Sequence, residues 1–175
     1  MKGETNMEQT KKLRLSGVVT DSIVDGKGIR MTVFVQGCPH HCPGCHNPQT
    51  HDFSAGYEDS VDRLVEKLKE DPLQCGVTLS GGEPFCQAEA LFELAKKVKA
   101  LGKNVWAYSG YTFEELTSGK IPFAKELLSV CDVLVDGRFL IEQRNLTLPF
   151  RGSENQRVLD VAASLAQNKP VLLAL

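Results

Sequence analysis

Cys38, Cys42 and Cys45 stand at the spacing C-x3-C-x2-C within Gly37-Cys38-Pro39-His40-His41-Cys42-Pro43-Gly44-Cys45-His46-Asn47. A loop this short and this rich in Pro and Gly can wrap three thiolates around one small inorganic object. It offers three sulfurs rather than four, so an iron–sulfur cube held here keeps one iron without a cysteine ligand. Such an iron is open to chemistry, whereas a fully ligated cluster mainly carries electrons. The alternative on residue types is a zinc site completed by His40, His41, His46 or His51. Zinc sites usually pair two separated half-motifs, and this chain has no second half. The residues favour the cluster and leave zinc open.

A second chemical element is Ser80-Gly81-Gly82-Glu83-Pro84, after the apolar run 77–79. Its glycines allow close approach of a ligand, and Glu83 can accept hydrogen bonds from an ammonium group. Gly-Gly is also a common strand-to-helix connection, so the motif is weak alone. Asp25-Gly26-Lys27-Gly28 precedes a strand, whereas a dinucleotide fingerprint follows one and opens a helix, so it reads as a turn. Cys75, Cys86 and Cys131 are scattered in apolar or helical sequence and read as small buried hydrophobes.

These residues need a frame, and the chain supplies one. Strands are expected at 13–19, 31–35, 77–79, 105–108 and 133–135, and helices at 59–70, 87–100 and 122–130. Weaker edge strands are expected at 157–161 and 171–173. The alternation predicts an α/β fold with a mainly parallel sheet, in which ligands gather at the carboxyl ends of the strands. The cysteine loop, Ser80 to Glu83, Ser109-Gly110 and Asp136-Gly137 all fall there. The 175 residues suit a single domain over 13–175, preceded by a disordered tail over 1–12. With 42% hydrophobic and 24% charged residues and a formal net charge of −2, the composition gives no case for nucleic acid or an anionic membrane as partner. No apolar run nears the ~20 residues that span a bilayer, and the start of the chain has no secretion signal. A cytoplasmic location is expected.

With C-x3-C-x2-C after one strand and Gly-Gly-Glu-Pro after the next, the chain resembles the radical S-adenosylmethionine superfamily. Val24-Asp25-Gly26-Lys27-Gly28-Ile29-Arg30 and Phe34-Val35-Gln36-Gly37-Cys38 narrow the likeness to the glycyl-radical-enzyme activases. Four further segments, Pro43 to Asn47, Thr78 to Pro84, Val133 to Phe139 and Arg151 to Arg157, are similar to the activases of anaerobic ribonucleoside-triphosphate reductase. The resemblance runs from Val18 to Leu173.

It implies a partial parallel β/α barrel of about five or six strands, too few for closure, with one side open for a loop of another protein. It implies a [4Fe–4S] cluster on Cys38, Cys42 and Cys45, its open iron taking the amino and carboxylate groups of S-adenosylmethionine. Gly44, Cys45 and His46 would line the adenosyl side, and Gly81, Gly82 and Glu83 would hold the methionine end. Reductive cleavage would give a 5′-deoxyadenosyl radical that takes hydrogen from a glycine of the reductase, leaving a glycyl radical. No side chain need act as an acid or base. Reduced flavodoxin or a similar donor would supply the electron.

Two positions depart from related patterns. Gly44 stands where many superfamily members carry an aromatic residue. Tyr108-Ser109 stands where the pyruvate formate-lyase activase has a cation site, which puts a bound monovalent cation in doubt. Asp136 reads as a ribose or cation contact or as a plain turn aspartate. The segment 151–157 is expected to shape the edge that meets the reductase. Against this stand an activase of another glycyl-radical enzyme or a small-molecule radical enzyme and, outside enzymes, a zinc-binding module or electron carrier.

Overall fold

Met31, Val33 and Val35 alternate with Arg30, Thr32 and Phe34, and this period of two gives β2 (Arg30–Val35) two different faces. The same division runs through the whole sheet. In the computed structural model, which describes residues 9–175, the other strands are β1 (Lys12–Ser22), β3 (Tyr57–Ser60), β4 (Gly76–Gly81), β5 (Asn104–Tyr108), β6 (Val133–Asp136) and β7 (Arg157–Asp160). Their order is β3-β1-β2-β4-β5-β6-β7. The inner pairs β2–β4, β4–β5 and β5–β6 are parallel. The pairs β1–β2, β1–β3 and β6–β7 are antiparallel.

The helices are α1 (Val61–Lys69), α2 (Ala88–Ala100), α3 (Phe113–Thr117), α4 (Ala124–Val130) and α5 (Val161–Gln167). All contribute to one core, in which Leu64, Leu91, Leu94 and Leu127 meet Val33, Leu79, Ala107 and Leu134 of the strands. Each such leucine stabilises the fold by about 1.5–3 kcal/mol through burial. Ser60 starts α1 by accepting from the Arg63 N–H, and Asp160 starts α5 by accepting from the Ala163 N–H.

The opposite face of the sheet carries a smaller apolar cluster of Trp106, Val133, Val135 and Val158 beside buried polar groups. Arg30 is fully buried there. Its guanidinium donates to Thr78 Oγ1 (2.8 Å) and to the Val77 and Lys27 carbonyls (3.0 Å each), and lies 5.4 Å from the Trp106 ring. Burial lowers its pKa to about 10. Thr78 Oγ1 in turn donates to the Asp25 carbonyl at 2.8 Å, so the Asp25-Gly26-Lys27-Gly28 turn is fastened to this face.

The alternating α/β order is borne out, but among the described residues the sheet is mixed and has seven strands rather than five or six. The additional strand β3 is a short polar edge that pairs with β1, and it takes Asp59 and Ser60 from the expected helix. Segment 171–173 makes only an isolated bridge, Leu159 to Leu172. Of the expected tail 1–12, residues 1–8 lie outside the described residues, while Lys12 already belongs to β1. No helix among the described residues is long and apolar enough to cross a membrane.

Candidate active site

At the carboxyl ends of β2, β4, β5 and β6 the chain encloses a cavity of about 1060 Å³. Cys38, Cys42, Cys45 and His46 line it from the first loop, and Ser80, Gly81 and Gly82 from the second. Tyr108, Ser109 and Gly110 follow β5, Gly137 and Phe139 follow β6, and Arg151, Gly152 and Gln156 close the far side. The four rim loops expected from the sequence do meet.

The cysteine loop is held by its two ends. The Gly37 N–H donates to the Thr50 carbonyl (2.7 Å) and the Cys38 N–H to the His51 carbonyl (3.3 Å). Within it, left-handed backbone at His41 (φ 48°) and Gly44 (φ 75°) turns the chain sharply. The Cys45 N–H closes a turn onto the Cys42 carbonyl at 3.1 Å, and the Asn47 N–H points to Cys45 Sγ at 3.4 Å. Cys38 is buried and the other two cysteines are half-buried. Burial pushes the Cys38 thiol up; the His40 backbone N–H opposes this, and Glu83, Cys42 and Cys45 add to it.

Glu83 organises the second loop. It is fully buried, and its carboxylate accepts from Ser109 Oγ (2.9 and 3.1 Å), the Gly110 N–H (2.9 Å) and the Phe85 N–H (3.0 Å). His40 Nε2 stands 2.6 Å from Glu83 Oε2, and His40 Nδ1 stands 3.3 Å from Arg138 Nε. An arginine can only donate, so Nδ1 accepts and Nε2 carries the proton that Glu83 receives. Both ring nitrogens of His40 are thus engaged by protein groups. The His40 ring also meets Tyr111 edge-on at 4.5 Å.

Six residues were expected to contact the cofactor. Cys45, His46, Gly81 and Gly82 line the cavity, whereas Gly44 and Glu83 do not. Gly44 is exposed and packs towards Ile141. The Glu83 carboxylate is engaged by protein donors, which gives it a positioning part between the loops. Asp136 also lies off the cavity: it accepts from the Phe113 N–H (2.7 Å) and pairs with Arg157 through both oxygens (2.9 and 2.5 Å). Sequence reasoning gave Arg138 no part, gave Arg151 only a place in the segment expected to meet the reductase, and gave His40 none beyond a zinc candidate. For His40 the only available signal was its place between Cys38 and Cys42.

The residues fit an iron–sulfur cluster. Cys38, Cys42 and Cys45 of one loop line one cavity. Three cysteine thiols on one cavity are the donor set of an iron–sulfur cluster that keeps one iron open. His51 Nε2 and Arg151 Nε are buried without a partner, and both residues line the cavity. Unpaired buried donors and acceptors cost about 1–3 kcal/mol each, so the space is made for a polar ligand.

Residues 24–159 match the protein family described as a 4Fe-4S single cluster domain. The anaerobic ribonucleoside-triphosphate reductase-activating protein of Vibrio cholerae is 39% identical over 142 residues, covering 77% of this chain and 89% of that protein. Its namesake in Escherichia coli is 33% identical over 144 residues, covering 78% and 91%. The crystal structure of QueE from Escherichia coli overlays 58% of this chain and 54% of its own, with a TM-score of 0.49 and 16% identity.

Proposed function

The chain belongs to the 4Fe-4S single cluster domain family and to the family of anaerobic ribonucleoside-triphosphate reductase-activating proteins, and from that premise we propose that it installs the glycyl radical of that reductase as a radical S-adenosylmethionine enzyme. The observation that carries this reading is one cavity lined both by Cys38, Cys42 and Cys45 and by Gly81 and Gly82.

In this reading the three cysteines hold a [4Fe–4S] cluster, Gly81 and Gly82 lie against the methionine end of S-adenosylmethionine, and His46 lies on the adenosyl side. A cluster bound there and reduced would supply the electron for reductive cleavage of S-adenosylmethionine, and so the radical for the reductase glycine. The chain's own residues bind and orient. Gly82 brings its backbone against Gly37, where a Cβ would stand 2.3 Å from the Gly37 carbonyl oxygen. The Glu83 N–H donates to that carbonyl at 2.9 Å, so the second loop is built directly on the base of the cysteine loop. His40 and Glu83 lock the same two loops through side chains. Phe139, Leu148 and Phe150 contribute apolar wall to the cavity and limit water around its polar floor.

We read the sheet as the open wall of a partial β/α barrel, because the helices cover one face and the cavity opens at the strand ends of the other. The open side leaves room for the glycine loop of the reductase. The resemblance implies a reduced donor of the flavodoxin class. The formal charge of −2 favours neither nucleic acid nor an anionic membrane as a partner, and we place the reaction in the cytoplasm.

The test is anaerobic reconstitution with iron and sulfide, reduction, and assay of 5′-deoxyadenosine with and without the reductase. Cleavage with a glycyl radical signal on the reductase is expected. Cleavage without that signal would move the activity to another glycyl-radical enzyme or a small molecule. A loaded cluster that cleaves nothing would leave an electron carrier.

A further inference from the structure

Two arginines frame the segment 151–157 and are treated oppositely by the fold. Arg157 faces two carboxylates: its guanidinium is bound by Asp136 through both oxygens and by Glu114 at 2.8 Å. Arg151 has no acidic partner among the described residues. Its Nη1 donates to the Gln156 carbonyl at 2.5 Å and, at 3.5 Å, to the Glu154 carbonyl. Its Nε is buried with no partner, and the residue lines the cavity that Cys38, Gly81 and Gly82 also line. The nearby Glu154 side chain is engaged by Asn145 Nδ2 at 3.2 Å.

The backbone that presents Arg151 is rigid. Phe150 holds left-handed backbone (φ 62°), a conformation costly for a residue with a side chain. Two contacts fix it: Tyr108 Oη donates to the Phe150 carbonyl at 2.7 Å, and the Phe150 ring meets Trp106 edge-on at 5.1 Å. On the other side the Gly152 and Ser153 N–H groups both donate to Gln156 Oε1, at 2.9 and 3.2 Å. A strained, braced turn thus places a permanent positive charge at the cavity wall with one donor unpaired. A guanidinium offers paired N–H groups along an edge, and that edge matches the two oxygens of a carboxylate.

We propose that Arg151 is the carboxylate-binding residue of this cavity. The proposal rests on the function inferred above, which offers two sources of the group: the α-carboxylate of S-adenosylmethionine, or an acidic residue of the reductase loop. Arg151 touches the ligand and neutralises its charge; it transfers no proton and no electron. Because Nε is closed off in the unliganded chain, the guanidinium must turn slightly to bring its free edge to the carboxylate.

The test uses the cluster-loaded protein, wild type, R151Q and R151K, titrated anaerobically with S-adenosylhomocysteine and with 5′-methylthioadenosine, which lacks the amino acid carboxylate. If the cofactor is the source, R151Q binds S-adenosylhomocysteine about 10- to 100-fold more weakly, the range for a charged hydrogen bond. Its affinity for 5′-methylthioadenosine stays unchanged, and R151K recovers part of the loss because it keeps the charge without the fork. If the reductase is the source, both small molecules bind as before and the affinity of R151Q for the reductase falls by a similar factor. Equal losses for both small molecules would reduce Arg151 to a brace of the loop and overturn the proposal. No loss for either small molecule or for the reductase would overturn it as well. Wild-type protein that binds neither adenosyl compound would instead strike the functional reading itself, and the proposal with it.

Discussion

His40 Nε2 and Glu83 Oε2 lie 2.6 Å apart, with the histidine side chain 5% exposed and the glutamate fully buried. One residue belongs to the cysteine loop and the other to the Gly81-Gly82 turn. The two loops are therefore one unit, and whatever the cysteines hold keeps a fixed position relative to those glycines. Replacing His40 by Ala leaves the buried carboxylate one donor short, and a hydrogen bond to a charged group contributes about 1.5–3 kcal/mol. Urea unfolding of the apo protein should show a loss of about that size. A change within about 0.5 kcal/mol, the range of ordinary surface substitutions, would mean that the pair holds nothing together.

Gly82 and Gly102 should respond differently to alanine. At Gly82 the new Cβ meets the Gly37 carbonyl oxygen at 2.3 Å, so the turn must move off the cysteine loop. At Gly102 the backbone is left-handed (φ 74°) but nothing lies within 4 Å. Gly82→Ala is expected to weaken S-adenosylhomocysteine binding at least about tenfold, because displacement of the ligand-facing backbone costs more than about 1.4 kcal/mol. Gly102→Ala should lower stability by about 1 kcal/mol through strain and leave binding intact. Titration and thermal unfolding of both variants check this, and equal binding by the two would refute the backbone contact.

Much of this arrangement was legible in the chain. The cysteine spacing, the Gly-Gly turn and the βα alternation sufficed to gather four loops at one rim, because parallel strands deliver their carboxyl ends to one side. The polar edge strand Tyr57–Ser60 was hidden because it alternates weakly and takes its identity from pairing with β1. The helix α3 carried a readable signal, the Thr112-x-x-Glu115 capping box, which the reading passed over. The part of Glu83 could not be read from local sequence: its partners His40, Ser109 and Gly110 come from other loops and meet it only in three dimensions.

The Arg157 pairing gives a pH dependence of known sign. Hydrogen bonding from Arg157 holds the Glu114 carboxyl below its ordinary value of 4.5. A carboxylate depressed in the folded state stabilises above its unfolded value, and that contribution is lost as pH falls through the folded value. Glu114 is well exposed, so solvent screens the pair and the effect stays below about 1 kcal/mol. Glu114→Gln should be slightly less stable than wild type at neutral pH, with the difference vanishing in strong acid. A difference that persists in acid would assign the effect to packing instead.

The six cysteines should divide into two groups of three. Alanine at Cys38, Cys42 or Cys45 should lower the iron retained after reconstitution, while alanine at Cys75, Cys86 or Cys131 should retain it. Cys75 and Cys86 are exposed rather than buried as the sequence suggested, whereas Cys131 is buried and its thiol is pushed up by that burial, so Cys131 should resist alkylation at neutral pH, where its thiolate is scarce. Iron analysis and mass mapping of alkylated peptides read the two groups directly. Iron lost from the Cys86 or Cys131 variants would place a fourth thiolate in the site.

The most direct measurement follows from the three-thiolate cavity itself: the electron paramagnetic resonance spectrum of the reduced, reconstituted protein before and after S-adenosylmethionine is added. An iron without a cysteine ligand would be free to take the cofactor, so a [4Fe–4S] signal that shifts on addition is predicted. A signal unchanged by saturating S-adenosylmethionine, or a protein that takes up zinc in place of the cluster, would contradict it.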